Sequence, residues 1–268
     1  MRLSINHTTR YHYDVPATYA LQQLRVRPQT TATQTVISWQ VKLEGAIEQA
    51  NFTDENGNLV DLVEFLPSME HVSITVSGEV QTFDKAGIVG PHQAIMPLWF
   101  YLRQTKLTKA GAGTSALIAS LGPQHTGQTD IERLHQLSEL ILDTVPYTTG
   151  ETGAHTTTED ALAHGKGVCQ DHTHIFLSAA RMLGYPARYV SGYLMMNDRV
   201  DQDAGHAWAE AHIDGLGWVG FDVSNAISPD ARYVHVARGL DYTGCAPTTG
   251  FIVGAERENL IVSLQVQQ

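Results

Sequence analysis

Residues 206–213, HAWAEAHI, form the strand pattern that most constrains how this chain can fold. Successive side chains of a strand point to opposite faces, and here one face carries Ala207, Ala209, Ala211 and Ile213. A face with three small side chains is shallow enough for a helix to lie close against it. We therefore expect a helix packed on an antiparallel sheet at this strand.

The segment HGKGVCQDHTHIFLSAARMLG, residues 164–184, supplies such a helix. Its apolar side chains recur every three or four residues, which predicts one buried face, and Gly184 marks its end. Cys169 lies at its start, where unpaired backbone N–H groups and the helix dipole favour a thiolate. Gly165 and Gly167 let the backbone approach closely and leave the sulfur accessible. The position favours a nucleophile, although a packed, inert thiol is the alternative that helix position alone leaves open.

Two more strand patterns, residues 187–195 and 218–223, surround the first. The turn DGLG makes 206–213 and 218–223 antiparallel neighbours, so the start of one strand, His206, lies near the end of the other, Asp222. Pairing Ile213 with Trp218 would put Asp222 on the face away from His206. A loop of odd length, or a bulge, would put both side chains on one face.

The chemistry that these side chains offer together is acyl transfer. His206 would accept the proton of Cys169, and Asp222 would orient the imidazole and stabilise its charged form. The thiolate would attack an acyl carbon, with the backbone N–H of Cys169 as one oxyanion donor. The second donor stays open, with Gln170 and Tyr147 as candidates. The sequence predicts a Cys169–His206–Asp222 catalytic triad.

The rest of the chain divides into a β-rich part and an α+β part. Alternating patterns run over the odd positions from Leu3 to Tyr13, over 37–43 and over 72–76, and DENGN at 54–58 is a hairpin turn signal. We predict an antiparallel β-sandwich-like module at 1–95 and a catalytic core at 96–268.

Within the core, the connector at 91–116 is expected to be ordered in part by Trp99 and Phe100. A helix is predicted over 129–145, where apolar residues recur at helical spacing up to Pro146. A second, short helix is predicted in TTEDALAHG, with Thr156, directly before this segment, and Glu159 spaced as a capping box.

Composition excludes several classes of partner. A net charge of −11 disfavours nucleic acid and anionic membranes, and no apolar run is long enough to span a bilayer. The first residues lack the apolar segment of a signal peptide, and two cysteines do not make a disulfide framework, so we expect a cytoplasmic protein. No metal or cofactor is expected, because His172 and His174 lie on different sides of their helix. Cys245 is expected to be an incidental thiol rather than a redox partner of Cys169.

Three segments resemble the bacterial transglutaminase-like family of candidate cysteine proteases. They are GKGVCQDHTHIFLSAARMLGYPARYVSGYL, GHAWAEAHIDGLGWVGFD and ISPDARYVHVARGLDY. Members show a Gly-x-Gly-Val-Cys-x-Asp helix start, an Ala-Arg-Tyr-Val-Ser-Gly-Tyr strand, a His-Ala-Trp strand and a Gly-Trp-x-x-Phe-Asp strand in that order. The match is close from about residue 160 to 245, and the β-rich N-terminal region resembles the module that precedes such cores.

The resemblance implies a papain-like, transglutaminase-like core in which Cys169, His206 and Asp222 are the catalytic triad. Two departures bear on the acyl-acceptor side of the site. The family usually continues Pro-Thr-Asn after the aspartate, whereas this chain has Val-Ser-Asn at 223–225, and Cys245 has no typical counterpart.

The expected substrate is a peptide or protein amide. Transfer of the acyl group to water would make the protein a peptidase or amidase, and transfer to an amine would make it a crosslinking transglutaminase. The triad is the same for both, and hydrolysis is favoured because nothing in the sequence marks an amine site. A non-catalytic binding module on the same fold is the competing hypothesis, and the oligomeric state is left open.

Overall fold

The computed structural model describes residues 1–254 and 258–268, in which the strands assemble into three antiparallel sheets. The strands are β1 (Arg2–Tyr13), β2 (Tyr19–Arg27), β3 (Gln34–Glu44), β4 (Ala46–Thr53), β5 (Leu59–Phe65), β6 (His71–Thr82), β7 (Ile88–Gly90), β8 (Ala187–Leu194), β9 (Asp201–Gln202), β10 (His206–Ile213), β11 (Gly217–Phe221), β12 (Tyr233–Gly239), β13 (Thr248–Val253) and β14 (Glu258–Gln267). The helices are α1 (Ala112–Leu121), α2 (Asp130–Thr144), α3 (Thr158–His164) and α4 (Cys169–Met182). None of the helices in this described part of the chain is long and apolar enough to cross a membrane.

The three sheets differ in strand order and are called the long sheet, the short sheet and the core sheet. The long sheet has the order β3-β6-β1-β14-β9, the short sheet has the order β13-β2-β5-β4, and the core sheet has the order β12-β8-β10-β11-β7. The mixture of antiparallel sheets and helices confirms the predicted α+β class.

Strand β1 shows how the long sheet is shared between two partners. Its odd-numbered side chains from Leu3 to Tyr13 are all buried, as the alternating pattern predicts. Tyr11 and Tyr13 pack with side chains of the short sheet and so close the sandwich. Leu3 and Ile5, in the other half of the strand, pack with side chains of the core sheet instead. The long sheet therefore covers the short sheet with one half and the core sheet with the other.

The alternation predicted for 37–43 is wrong at its first residue. A bulge between Val36 and Ser38 adds a residue to β3, and Ile37 is 47% exposed. After the bulge the period is restored, and Trp39, Val41 and Leu43 pack against the sandwich core.

The last two strands of the chain pair with the first two. β14 pairs with β1 over ten residues, from Tyr13–Glu258 to Ser4–Gln267, and β13 pairs with β2. The chain after residue 248 therefore contributes strands to both N-terminal sheets. The division into 1–95 and 96–268 stays a prediction.

Helix α4 packs on the alanine face of β10, in the centre of the core. Ala207, Ala209 and Ala211 are buried there in one apolar cluster with Phe176 and Ala180 of the helix. Small side chains on the strand let the helix axis approach the sheet closely, which is the packing that the sequence predicts. The position of the N-terminus of α4 follows from this contact.

The connector is more ordered than predicted. It contains a short 3-10 helix, Leu98–Leu102, and the first turn of α1. Tyr101 is the buried anchor, with its ring centroid 5.1 Å from that of Trp218, whereas Trp99 is 65% exposed. The ordering role predicted for Trp99 therefore belongs to Tyr101, while Phe100 packs edge-on against the Tyr101 ring.

The capping box predicted for α3 is shifted by one residue. Thr157 is the N-cap, and its side chain and that of Asp160 make the reciprocal bonds that were expected of Thr156 and Glu159.

Glu159 caps a different helix. Its carboxylate accepts hydrogen bonds from the backbone N–H groups of Gly111, Gly113 and Thr114 at 2.7–2.9 Å, and from the Thr114 hydroxyl at 2.6 Å. These donors are the unpaired N–H groups at the start of α1, where a negative charge is stabilising. Burial opposes ionisation of the carboxyl, but the hydrogen bonds outweigh it and lower the pKa of Glu159.

We expect Glu159→Ala to lower the free energy of unfolding by about 1–2 kcal/mol, the usual cost of losing a helix cap. Urea denaturation followed by circular dichroism measures the loss. Glu139→Ala, which removes an exposed carboxylate from α2, is the matched control and should change stability little. Equal effects of the two substitutions would contradict the capping role.

Candidate active site

The start of α4 is held by a carboxylate beside the cysteine. Asp171 is buried, and its Oδ2 accepts hydrogen bonds from the Val168 N–H at 2.8 Å and the Thr152 hydroxyl at 2.6 Å. A Cβ added at Gly167 would lie 2.8 Å from the Cβ of Asp171. Gly167 is therefore required for the close approach of this carboxylate, which fixes the loop that leads into Cys169.

Cys169 is the first residue of α4 and is half-buried. Its backbone N–H belongs to the first helical turn, where no carbonyl of the same helix is in reach. The thiol and this N–H therefore stand together at the helix N-terminus.

The hairpin register places His206 and Asp222 on one face. β10 and β11 pair Ile213 with Gly217 and Ala209 with Phe221, so the loop contains three residues. Continuing the ladder by one residue sets Asp222 opposite Trp208, which shares its face with His206. The sequence left open a loop of odd length or a bulge, and the fold adopts the loop of odd length.

The imidazole of His206 and the carboxylate of Asp222 form a buried ion pair. His206 Nε2 lies 2.6 Å from Asp222 Oδ2, and their side chains are 9% and 0% exposed. The Tyr233 hydroxyl and the Asn225 side-chain amide also donate to Oδ2, at 2.6 and 2.7 Å. Burial raises the pKa of Asp222, but the imidazole and these donors outweigh it and hold the pKa below the ordinary value.

The charge state of His206 follows from its neighbours. Burial alone would lower its pKa, but the charge and hydrogen bond of Asp222, followed by a hydrogen bond with Cys169, raise the pKa to about 10. Since Nε2 binds Asp222, Nδ1 is the ring nitrogen left for the thiol. The raised pKa favours the charged form of the imidazole at neutral pH. The structure brings the three predicted residues together, and their catalytic role stays a prediction.

Sequence reasoning missed two of the groups that hold Asp222. Asn225 follows it by three residues, and its backbone N–H also donates to Oδ1 at 3.3 Å, a local turn that an aspartate commonly makes. Tyr233 is the first residue of β12, which reaches the site only through the pairing of β12 with β8 and of β8 with β10. No local signal connects that tyrosine to the aspartate.

The two candidates for the second oxyanion donor differ in their surroundings. The side-chain amide of Gln170 is directed at the backbone carbonyls of Gly153 and Ala154, at 3.4 Å. Tyr147 is 50% exposed, and burial and the charge of Cys169 raise the pKa of its hydroxyl. The assignment stays open.

The helix histidines bind protein groups. His172 contacts the Ser224 hydroxyl at 2.8 Å and the Val145 carbonyl at 2.7 Å, and His174 Nε2 accepts the Tyr242 N–H at 3.2 Å. Among the described residues, no group of three or more histidine, cysteine, aspartate or glutamate side chains is arranged to hold a metal ion.

The second cysteine is part of the core. Cys245 is fully buried, and this burial raises the pKa of its thiol.

Cys169 and His206 open into a cleft of about 270 Å³. It is lined by residues of α4 and the core sheet, and also by residues of β1, β2 and β14 from the N-terminal sheets. The N-terminal sandwich is therefore a wall of this cleft.

Two family models match the sequence. Residues 120–223 match the transglutaminase-like superfamily, and residues 3–81 match the bacterial transglutaminase-like N-terminal region. The first span contains Cys169, His206 and Asp222, and the second contains β2 to β5 with most of β1 and β6.

Individual relatives and a solved structure are similar over different lengths. An uncharacterized protein of Mycobacterium leprae is 28% identical over 99% of this chain and 98% of its own length. Uncharacterized proteins of Mycobacterium bovis and Mycobacterium tuberculosis are 34% identical over 51% of this chain and 46% of their own length. The structure of a candidate cysteine protease from Cytophaga hutchinsonii superposes with a TM-score of 0.76 at 20% identity, covering 100% of this chain and 98% of that one. At that identity the superposition shows a shared fold.

We expect the His206 ring to titrate near pH 10 in the native protein and at a lower pH in Asp222→Asn, because the variant keeps the burial and loses the charge of Asp222. Ring resonances of His206 measured by NMR across pH 5–11 report the shift. Asp203→Asn, an exposed change three residues away, should leave the titration unaltered.

The raised pKa of His206 also makes the free energy of unfolding depend on pH. Because the folded-state pKa lies above 6.5, the stabilisation from the ion pair is complete below pH 6.5 and is lost as the pH rises through about 10. A stability advantage over Asp222→Asn that does not shrink across this window would contradict the assignment.

Proposed function

We propose that this chain, whose core belongs to the transglutaminase-like superfamily, transfers acyl groups from amide substrates through Cys169, His206 and Asp222. The observation that carries the proposal is the buried 2.6 Å contact between His206 and Asp222, beside the cleft that Cys169 and His206 both line. A thiol beside an imidazolium that a carboxylate orients is the arrangement that generates a thiolate nucleophile.

Acylation begins from the thiolate–imidazolium pair. The Cys169 sulfur attacks the carbonyl carbon and forms a C–S bond, while His206 gives its proton to the amide nitrogen. The C–N bond breaks, the amine leaves, and a thioester remains on Cys169 with a neutral His206. Water then gives a proton to His206 and attacks the thioester, which releases the acid and restores the starting pair.

Two features of the chain support the charged steps. The backbone N–H of Cys169 lies at the helix N-terminus, where it is available to the developing oxyanion. Asp222 stays ionised because the His206 imidazole, followed by the Tyr233 and Asn225 donors, outweighs its burial and lowers its pKa. It can therefore hold the imidazole through both proton transfers.

We infer that water is the acyl acceptor. An incoming amine is best held by a carboxylate beside the thioester, and none of the cleft-lining residues in the described part of the chain is acidic. We therefore infer hydrolysis of a peptide or protein amide, with amine-accepting crosslinking as the alternative. The cytoplasmic location and the lack of nucleic-acid and membrane partners stay predictions from composition.

We expect iodoacetamide at pH 6 to alkylate Cys169 at least tenfold faster in the native protein than in His206→Ala, because the imidazolium stabilises the thiolate. Peptide mass spectrometry measures the rate, and the fully buried Cys245 serves as an internal reference. His212→Ala, on the same strand and face but away from the thiol, is the matched control and should react like the native protein. Equal rates in the native protein and His206→Ala would favour the non-catalytic module.

Incubation with a peptide library, with and without a primary amine, distinguishes the acceptors. We expect cleaved acids and a trapped thioester on Cys169 in both conditions, and neither of them from Cys169→Ala. Amine-containing products that replace the acids would instead assign the crosslinking activity.

A further inference from the structure

The cleft lies where the long sheet changes partner. Along β1, Leu3 and Ile5 pack on the core sheet, and Tyr11 and Tyr13 pack on the short sheet. The inward-facing residues between them, His7 and Thr9, line the Cys169 cleft. At this junction the long sheet faces the open space in front of the thiol.

Strand β14 extends the same wall with apolar side chains. Val262 pairs with Thr9 and Leu260 pairs with Tyr11, and paired residues of antiparallel strands share a face. Both side chains line the cleft, where Val262 is half-buried and Leu260 is 48% exposed. Apolar side chains left partly open beside a reactive thiol form a surface that a ligand can cover.

The opposite wall is apolar as well. Tyr189, Tyr193 and Val236 of the core sheet line it, and the Tyr193 hydroxyl is already bound to His7 Nδ1 at 3.0 Å. A cleft of about 270 Å³ lies near the lower limit of small-ligand pockets, roughly 300 Å³, and so suits one large side chain.

Apart from the catalytic pair, the cleft-lining residues in the described part of the chain offer a substrate no unpaired charge. Arg25 lines it, but its guanidinium donates to Asp54 at 3.1 Å, to Thr249 at 3.0 Å and to Gln23 at 2.9 Å. Burial lowers the pKa of His7 to about 4, so its ring is neutral at physiological pH. A charged substrate side chain would be desolvated here without a partner, which is strongly unfavourable.

We propose that β1 and β14 of the long sheet form the specificity wall of the Cys169 cleft, and that it selects acyl donors with an uncharged apolar side chain next to the reacting carbonyl. The inference rests on the proposed acyl transfer and gives the N-terminal sandwich a direct part in substrate choice. An apolar pocket of this kind discriminates by roughly 10–200-fold for each methylene-sized difference, and a buried unpaired charge is rejected at least as strongly.

Peptidyl chloromethyl ketones test the selection without requiring turnover. The Cys169 thiolate displaces chloride, so that a C–S bond forms and the C–Cl bond breaks. Four reagents carry leucine, phenylalanine, aspartate or lysine next to the ketone, and mass spectrometry gives the rate at Cys169 relative to iodoacetamide. We expect the leucine and phenylalanine reagents to react at least tenfold faster than both charged ones.

Variants of β14 test whether the proposed wall determines the selection of the reagent. Val262→Lys should speed the aspartate reagent and slow the leucine reagent, each by at least fivefold, because it adds a cation to the cleft. Ser263→Lys, one residue on and exposed on the other face, is the matched control. Leu260→Lys, at a more exposed position, makes the same test if Val262→Lys does not fold.

Equal rates for the four reagents, or faster reaction of a charged one, would overturn the inference. So would unchanged selectivity in a folded Val262→Lys or Leu260→Lys variant. Failure of the proposed function can be distinguished from failure of this inference. In that case iodoacetamide would react with Cys169 at equal rates in the native protein and in His206→Ala.

Discussion

The close packing of α4 on the alanine face of β10 is the contact on which the rest of the molecule depends. With Ala207, Ala209 and Ala211 fully or almost fully buried beneath it, the helix cannot shift sideways without opening cavities in a dense core. The helix N-terminus, and with it Cys169, is therefore fixed relative to the first residue of the strand, which is His206. The packing of α4 on β10 therefore sets the position of Cys169 relative to His206.

The other face of the core sheet contains a buried ion pair. Arg188 and Glu210 pair across β8 and β10 with Arg188 Nε 2.6 Å from the carboxylate, and the guanidinium lies 4.0 Å above the Trp218 ring centroid. Both side chains are almost fully buried, so removing one partner would leave an uncompensated charge in the core. The small side chains of β10 pack against α4, and its larger side chains on the other face include the ion-paired Glu210.

The cleft depends on connectivity as much as on the core. The long sheet reaches across both partners because β14, from the end of the chain, pairs with β1 from its beginning. This pairing brings Leu260 and Val262 to the same space as Cys169, and it makes the sandwich part of the site rather than a separate appendage.

The sequence by itself determined the features that arise from neighbouring residues. The helix period and the glycines placed Cys169 at a helix start, the alanine face predicted the helix-on-sheet packing, and a single hairpin brought His206 near Asp222. Tertiary structure alone decided the three-residue loop that sets both side chains on one face, the contact of Tyr233 with Asp222, and the wall built by β14. The loop length follows from the pairing register, which the alternation of side chains leaves open between two solutions. The Tyr233 contact and the β14 wall depend on packing between segments farther apart in the chain, and neither side-chain period nor local turn preference encodes which distant strand will be the neighbour.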